Sequence, residues 1–229
     1  MRHNRTTIMA TVFLLSIVLM PCKPGQGGGK AAETQIASEM VLAKPLQGGG
    51  YTWTLATRLG AMLRDSQDKY GKRNLEYTIL GVEFSETGPQ VWYPGDCKNV
   101  AIQLDKDALT DPIRAYYQLA HESIHLLSPT GGRNASVLEE GLATSFAIDY
   151  VSITMKNKEY ADKCLKSMPE NYKSAYDLVT TALKENPDFI KEIRKKHNSI
   201  SGITADNLQE TLPNSSREVC EKLTAKFKY

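Results

Sequence analysis

The segment HESIH, residues 121–125, holds two of the four histidines in this 229-residue chain, four positions apart. Residues four apart on a helix point the same way, so His121 and His125 could offer two imidazole nitrogens to one cation. Glu122 lies one residue further round and could reach a water on that cation without binding the cation itself. Zinc accepts nitrogen and oxygen ligands, and three protein ligands leave one position for water. The spacing therefore predicts a Zn²⁺ site in which Glu122 is the general base.

The competing interpretation of HESIH is a polar helix face with an ordinary Glu–His pair. Apolar residues on both sides of the motif argue against a fully solvated face: Leu119, Ala120, Ile124, Leu126 and Leu127. Part of this helix must then be buried. Buried imidazoles and carboxylates are costly unless they are paired or bound to a metal, and this favours the zinc site.

A third metal ligand is predicted at Glu140, fifteen residues after His125, in the segment LEEGLATSFA. The loop over residues 129–134 is long enough to reverse the chain, so a second helix could bring this carboxylate back to the metal. Gly141 lacks a side chain where two helices must approach closely, and Ala143, about one turn after Glu140, is also small.

The elements that position these residues follow from periodicity and breakers, and the folded domain is predicted over residues 51–229. Alternating apolar residues predict three strands, over residues 75–84, 90–93 and 99–105, in a small, mostly antiparallel sheet packed on the active-site helix. Trp53, Trp92, Tyr116 and Tyr117 are expected in the core. Helical periodicity and caps predict helices over residues 53–71, 111–127, 135–155, 157–167, 170–185, 187–197, 204–212 and 215–227, the last with Ser215 in a capping box. The fold class is therefore α+β, with a helical C-terminal half.

HESIH followed by EEGLA resembles the gluzincin zinc metallopeptidases, over about residues 99–153. The resemblance implies a zincin-like fold and hydrolysis of peptide bonds. It assigns the zinc-binding glutamate to the residue directly before the glycine, which is Glu140, with Glu139 as its neighbour. It also implies that the strand over residues 99–105 lies at the edge of the sheet, where an extended substrate adds to it through main-chain hydrogen bonds.

Two roles of the gluzincin site have no obvious residue here. The family usually has a carboxylate four residues after the ligand glutamate, and this chain has Thr144. Support for His121 is then expected from Thr144 or from a backbone carbonyl. A tyrosine or histidine often stabilises the oxyanion. The candidates are Tyr150, Tyr172, Tyr176 and His197, and with 11 tyrosines in the chain the sequence does not choose between them.

The N-terminal sequence predicts that the protein is exported. Arg2 and Arg5 precede an apolar run over residues 8–20, which has the length of a signal-peptide core. A signal anchor is the alternative. The residues ending at Cys22 resemble a bacterial lipoprotein box, in which Cys22 is lipidated and residues 23–50 form a flexible tether. The alternative to this is a plain secretory signal. The protein is therefore expected in the bacterial cell envelope or secreted, with membrane attachment through a lipid or an anchor.

Charge and cysteine content exclude other classes. Maturation at Cys22 would remove two arginines and no acidic residue, which takes the formal net charge from +2 to zero. A neutral chain has no bulk basic field for nucleic acid. Cys97, Cys164 and Cys220 form no C-x-x-C pair, so a cysteine zinc site is excluded. Export permits disulfides, and a bridge between Cys164 and Cys220 is one pairing that the predicted helices allow.

Three functions are consistent with these residues. The first is a zinc metallopeptidase acting on a peptide or protein substrate. The second is an exported lipoprotein binding module with a structural or vestigial zinc, in which the helices over residues 157–227 form the interaction surface. The third is an amphipathic helical protein that binds no metal.

Overall fold

The computed structural model describes residues 54–95, 98–132 and 134–229. The predicted export signal over residues 1–22 with its candidate lipidation site Cys22, the tether over residues 23–50, Trp53 and Cys97 lie outside these described residues.

The described chain is an α+β fold, as the sequence predicts. Its helices are α1 (Leu55–Tyr70), α2 (Pro112–His125), α3 (Val137–Asp149), α4 (Lys158–Ser167), α5 (Glu170–Glu185), α6 (Phe189–Arg194), α7 (Ala205–Thr211) and α8 (Arg217–Thr224). Its strands are β1 (Thr78–Ser85), β2 (Gln90–Trp92) and β3 (Asn99–Asp105). A short 3₁₀ helix (Lys106–Leu109) follows β3, and α3 continues into a π-helical turn (Tyr150–Thr154). Every predicted helix and strand in the described residues is present.

The three-stranded sheet is mixed, so the prediction of a mostly antiparallel sheet is wrong. The strand order is β1-β3-β2. β3 runs parallel to β1, with Asn99 opposite Thr78, and antiparallel to β2, with Ala101 opposite Trp92. The turn residues in the sequence show where the chain reverses. They do not show which strands pair with each other. The near-continuous burial of β3 is the feature that places it in the middle.

The central position of β3 overturns a second expectation. A central strand has both edges paired, so residues 99–105 cannot accept an added substrate strand. β2 is the edge strand on that side of the sheet. Trp92, which was expected in the core, lies on this edge and is 44% exposed.

Helix α2 is buried on almost every side, which is unusual for a helix that carries two histidines and a glutamate. It contacts α1, α3, β2 and β3. Asp111 caps its first turn by accepting a hydrogen bond from the Arg114 amide, and Pro112 begins the helix. Tyr116 and Tyr117 are buried on it, as predicted. The site residues on α2 are therefore held by a rigid, well-packed element.

The buried guanidinium of Arg194 ties α6 to the ends of α1 and α2. It donates to the carbonyl oxygens of Tyr70 at 3.0 Å, Gly71 at 2.8 Å, Lys72 at 2.7 Å and Leu127 at 3.2 Å. Carbonyls at helix C-termini have no partner within the helix, and a cation placed there satisfies them and interacts well with the helix dipole. Arg194 thus fixes the C-terminal end of α2.

Two smaller predictions are corrected in the C-terminal half. The cap of α8 is Ser216, whose hydroxyl accepts from the Val219 amide, because the hydroxyl of Ser215 donates to Glu185 instead. The bridge that the sequence allows between Cys164 and Cys220 is not formed, and Cys220 is a buried thiol. Within the described residues, no helix combines the length and apolar character needed to cross a bilayer.

Candidate metal centre

The candidate metal centre lies where the C-terminal end of α2 meets the N-terminal end of α3. His121 and His125 are one turn apart on α2, with ring centroids 5.3 Å from each other. Ser136 begins α3 by accepting a hydrogen bond from the Glu139 amide, which places Glu139 and Glu140 in the first turn of that helix. Carboxylates are favourable at a helix N-terminus, so both glutamates suit this position.

The structure brings His121, His125 and Glu140 together as a group that could hold a metal ion, as the sequence predicts. One ligand atom from each residue lies within 4.8 Å of the others. His121 Nε2 is 3.3 Å from Glu140 Oε2, and His125 Nε2 is 3.6 Å from Glu140 Oε1. Tetrahedral ligands that bind one zinc ion at 2.0–2.1 Å are separated from each other by about 3.4 Å. The observed spacing therefore suits a shared cation.

The surroundings of one Glu140 oxygen also bear on this fit. Glu140 is 2% exposed, and its buried Oε2 atom has no hydrogen bond of normal geometry within the described residues, with His121 Nε2 as a polar neighbour at 3.3 Å. A buried carboxylate oxygen without a partner is costly. A cation between Oε2 and the imidazoles would satisfy this atom, and a donor set of two imidazoles and one carboxylate is typical of zinc.

Glu139 supports His125, a role that the sequence interpretation missed. Its Oε1 lies 2.8 Å from His125 Nδ1, and its Oε2 accepts a hydrogen bond from the hydroxyl of Ser201. Ser201 in turn accepts from the Ser136 amide at 2.8 Å. A carboxylate on the far nitrogen of a histidine fixes the tautomer and the ring orientation, and it makes the histidine a better ligand. Glu139 therefore directs His125 Nε2 towards the site.

We expect Glu139→Ala to weaken zinc binding about 10- to 100-fold, because His125 loses the group that orients it. Competition with a chromophoric chelator would measure the affinity. The matched control is Glu86→Ala, since the Glu86 side chain is 74% exposed and contacts Lys106 at the surface. Equal zinc affinity in the parent and in Glu139→Ala would contradict this role.

His121 lacks the hydrogen bond that was expected from Thr144 or from a backbone carbonyl. Thr144 lines the same cavity, but its hydroxyl is buried and makes no hydrogen bond to any described residue. No backbone carbonyl in the described part of the chain accepts a hydrogen bond from His121 either. The ring of His121 instead lies beside that of Tyr172, with centroids 6.2 Å apart. Packing therefore orients His121, whereas a hydrogen bond orients His125.

Glu122, which the sequence predicts to be the general base, is one of the residues that line the cavity. Its side chain is buried at 4% exposure and lines the cavity beside both histidines. Burial raises the pKa of Glu122 above its usual value, and the charges of His125 and His121 offset only part of this effect. A carboxylate with a raised pKa is better matched to accepting and returning a proton near neutral pH.

The site opens into a cavity of about 290 Å³. Strand β2 forms one wall through Gln90, Val91 and Trp92, and α5 contributes Tyr172 to the lining. Of the four proposed oxyanion residues, Tyr172 lines this cavity, whereas Tyr150, Tyr176 and His197 are not among its described lining residues.

Tyr229 is a second residue that the sequence interpretation missed. It lines the cavity, and its hydroxyl donates to Glu140 Oε1 at 3.0 Å. No local pattern identifies it, because 89 positions separate Tyr229 from Glu140 in the sequence.

Comparisons with models of protein families, with curated proteins and with solved structures found no match to this chain. The resemblance to gluzincins therefore rests on the motif residues alone.

Proposed function

We propose that the protein is a zinc-dependent metallopeptidase with a zincin-like fold. His121, His125 and Glu140 hold the ion, and Glu122 is the general base. The observation that carries this proposal is the convergence of three ligand atoms, one of them a buried carboxylate oxygen, on a cavity that Glu122 also lines. Structural zinc sites usually have four protein ligands, whereas a three-ligand site with access to a cavity suits catalysis.

Zinc bound there would polarise a peptide carbonyl and lower the pKa of a bound water. Glu122 would take the proton from that water as it attacks the carbonyl, and would return it to the leaving nitrogen. The imidazoles of His121 and His125 stay in place because α2 is rigidly packed. Tyr172 lies close enough to the site to be the preferred oxyanion candidate of the four.

Strand β2 takes the role that the resemblance implied for β3. β2 lies at the end of the sheet order, so one of its edges is not paired within the described sheet, and its residues line the cavity. An extended peptide could pair with this edge through main-chain hydrogen bonds, which fix the direction of the chain without requiring a particular side chain. The proposed substrate is therefore a peptide or an unfolded protein segment.

The alternative is a binding module in which zinc is structural or vestigial. Its support from the sequence is the missing carboxylate near His121 and an oxyanion group that the sequence does not determine. Glu139 supplies a carboxylate to His125, and four tyrosines line the cavity, namely Tyr93, Tyr117, Tyr172 and Tyr229. These contacts favour the peptidase.

The deciding experiment combines metal analysis with a peptide-library cleavage assay on the purified protein. We expect about one bound zinc per chain, hydrolysis that a chelator abolishes, and recovery when zinc is added back. His121→Ala, which removes one ligand, should lose both zinc and hydrolysis. One bound zinc with no hydrolysis of any library peptide would favour the binding module. No bound zinc, even after zinc addition, would favour the helical protein without a metal.

A further inference from the structure

The last residues of the chain, 225–229, run beside the start of α3 and are here called the tail. The Val137 amide donates to the Ala225 carbonyl at 2.9 Å, and the Phe227 amide donates to the Ala135 carbonyl at 2.9 Å. Ser136 and Lys226 form an antiparallel bridge between these two bonds. The tail is therefore held in register with the segment that leads directly into the first turn of α3, where Glu140 lies.

Two further contacts fix the end of the tail. Phe227 is 3% exposed, and its ring packs against Tyr172 at 4.7 Å and against Tyr229 at 5.2 Å between centroids. The Asn171 side-chain amide donates to the Lys228 carbonyl at 2.9 Å. The ring of Tyr229 is thus positioned from both sides, by a buried anchor and by a hydrogen bond from α5.

The contact of Tyr229 makes the two oxygens of Glu140 unequal. Oε1 accepts the hydrogen bond from the tyrosine hydroxyl and lies 3.6 Å from His125 Nε2. Oε2 is buried, accepts no hydrogen bond from a described residue and lies 3.3 Å from His121 Nε2. An unrestricted carboxylate can bind a cation through one oxygen or through both. Here one oxygen is engaged by a neutral donor and the other is left for the ion.

We propose that Tyr229 is a positioning residue, which holds Glu140 Oε1 and restricts this glutamate to binding the metal through Oε2 alone. This inference rests on the proposed metal site. Binding through one oxygen leaves more of the coordination sphere to water and to the substrate carbonyl, which a catalytic site needs. The tail is accordingly part of the site and not an appendage.

The test uses the full-length protein loaded with Co²⁺ in place of zinc, because the visible absorption of cobalt reports coordination number and geometry. Tyr229→Phe keeps the ring that packs on Phe227 and removes only the hydroxyl. We expect a loss of visible absorption intensity, as Glu140 binds through both oxygens and coordination number rises, together with a decrease of about tenfold in kcat/KM. Tyr176→Phe is the matched control, since Tyr176 lies on α5 outside the cavity lining, and it should leave the spectrum unchanged.

A second variant tests the role of the tail. Phe227→Leu removes the aromatic anchor but keeps an apolar side chain, so we expect it to change the spectrum in the same direction as Tyr229→Phe. A Tyr229→Phe spectrum identical to that of the parent would overturn the positioning role while leaving the metal site intact. Failure of the parent protein to bind either Co²⁺ or zinc would overturn the metal site itself, and with it the proposed function.

Discussion

Replacing Glu122 with glutamine is expected to reduce kcat/KM about 10³-fold while the protein still binds one zinc with the affinity of the parent. Glutamine has the shape of glutamate but cannot accept the proton of the attacking water. Glu122 is not one of the three residues whose ligand atoms converge, so no metal ligand is lost. The substitution also removes a buried charge, and burial disfavours that charge in the parent. Folding should therefore not be impaired.

The measurement pairs zinc quantification with hydrolysis of the best library peptide. Glu139→Ala provides the opposite pattern, because it should lower zinc affinity and recover much of its activity when zinc is in excess. Glu86→Gln is the control at an exposed position, with no expected effect on either quantity. Hydrolysis by Glu122→Gln at the rate of the parent would show that Glu122 is not the general base, whatever the metal content.

The residues of the site that a sequence can identify are those whose geometry is local. His121 and His125 lie on one side of α2 because any helix places residues four apart together, and Asp111 with Pro112 marks where that helix begins. Glu140 required more, namely a loop that reverses the chain and a second helix that starts in the right place. The spacing between His125 and Glu140 made this arrangement feasible. The resemblance of the segment EEGLA to gluzincins identified Glu140 as the ligand.

The residues that the sequence could not identify depend on contacts between distant segments. Adjacent residues on a helix point about 100° apart, so one carboxylate of the Glu139–Glu140 pair faces the ligand atoms and the other faces His125 Nδ1. The sequence alone does not show which of these two glutamates faces the ligand atoms and which faces His125 Nδ1. Tyr229 lies at the site because the tail pairs with residues 135–137 and because Phe227 packs against Tyr172.

The prediction of a mostly antiparallel sheet was wrong for the same reason, because strand pairing depends on contacts between distant segments. The sequence indicates three strands and two turns correctly, but the turns do not exclude a third strand from inserting between the first two. The burial of β3 fits its central position, because Val100, Ile102 and Leu104 on one face are fully buried and Ala101 on the other face is only 6% exposed. This single change in order moved the expected substrate edge from β3 to β2.

Gly141→Ala is expected to destabilise the protein by about 3 kcal/mol, since it inserts a methyl group between two helices in contact. A Cβ at Gly141 would lie 2.4 Å from the carbonyl oxygen of Ala175 and 2.5 Å from Val179 Cγ2, both on α5. A backbone oxygen cannot turn aside as a side chain can, so α3 and α5 would have to separate. The glycine was correctly predicted to permit a close approach of helices, and the helix that approaches it is α5.

The separation would also reach the metal centre, because α3 carries Glu140 and α5 carries Tyr172, which lies beside His121. Zinc affinity should therefore decrease together with stability. Urea unfolding of the metal-free protein isolates the packing effect, since bound zinc would add its own stabilisation to the folded state. Gly60→Ala is the matched control: Gly60 lies within α1, where a Cβ would meet only Arg64 Nη1 at 3.9 Å, and alanine there should stabilise by about 0.5–1 kcal/mol. Equal unfolding free energies for Gly141→Ala and the parent would mean that α3 and α5 do not depend on this contact to place Glu140.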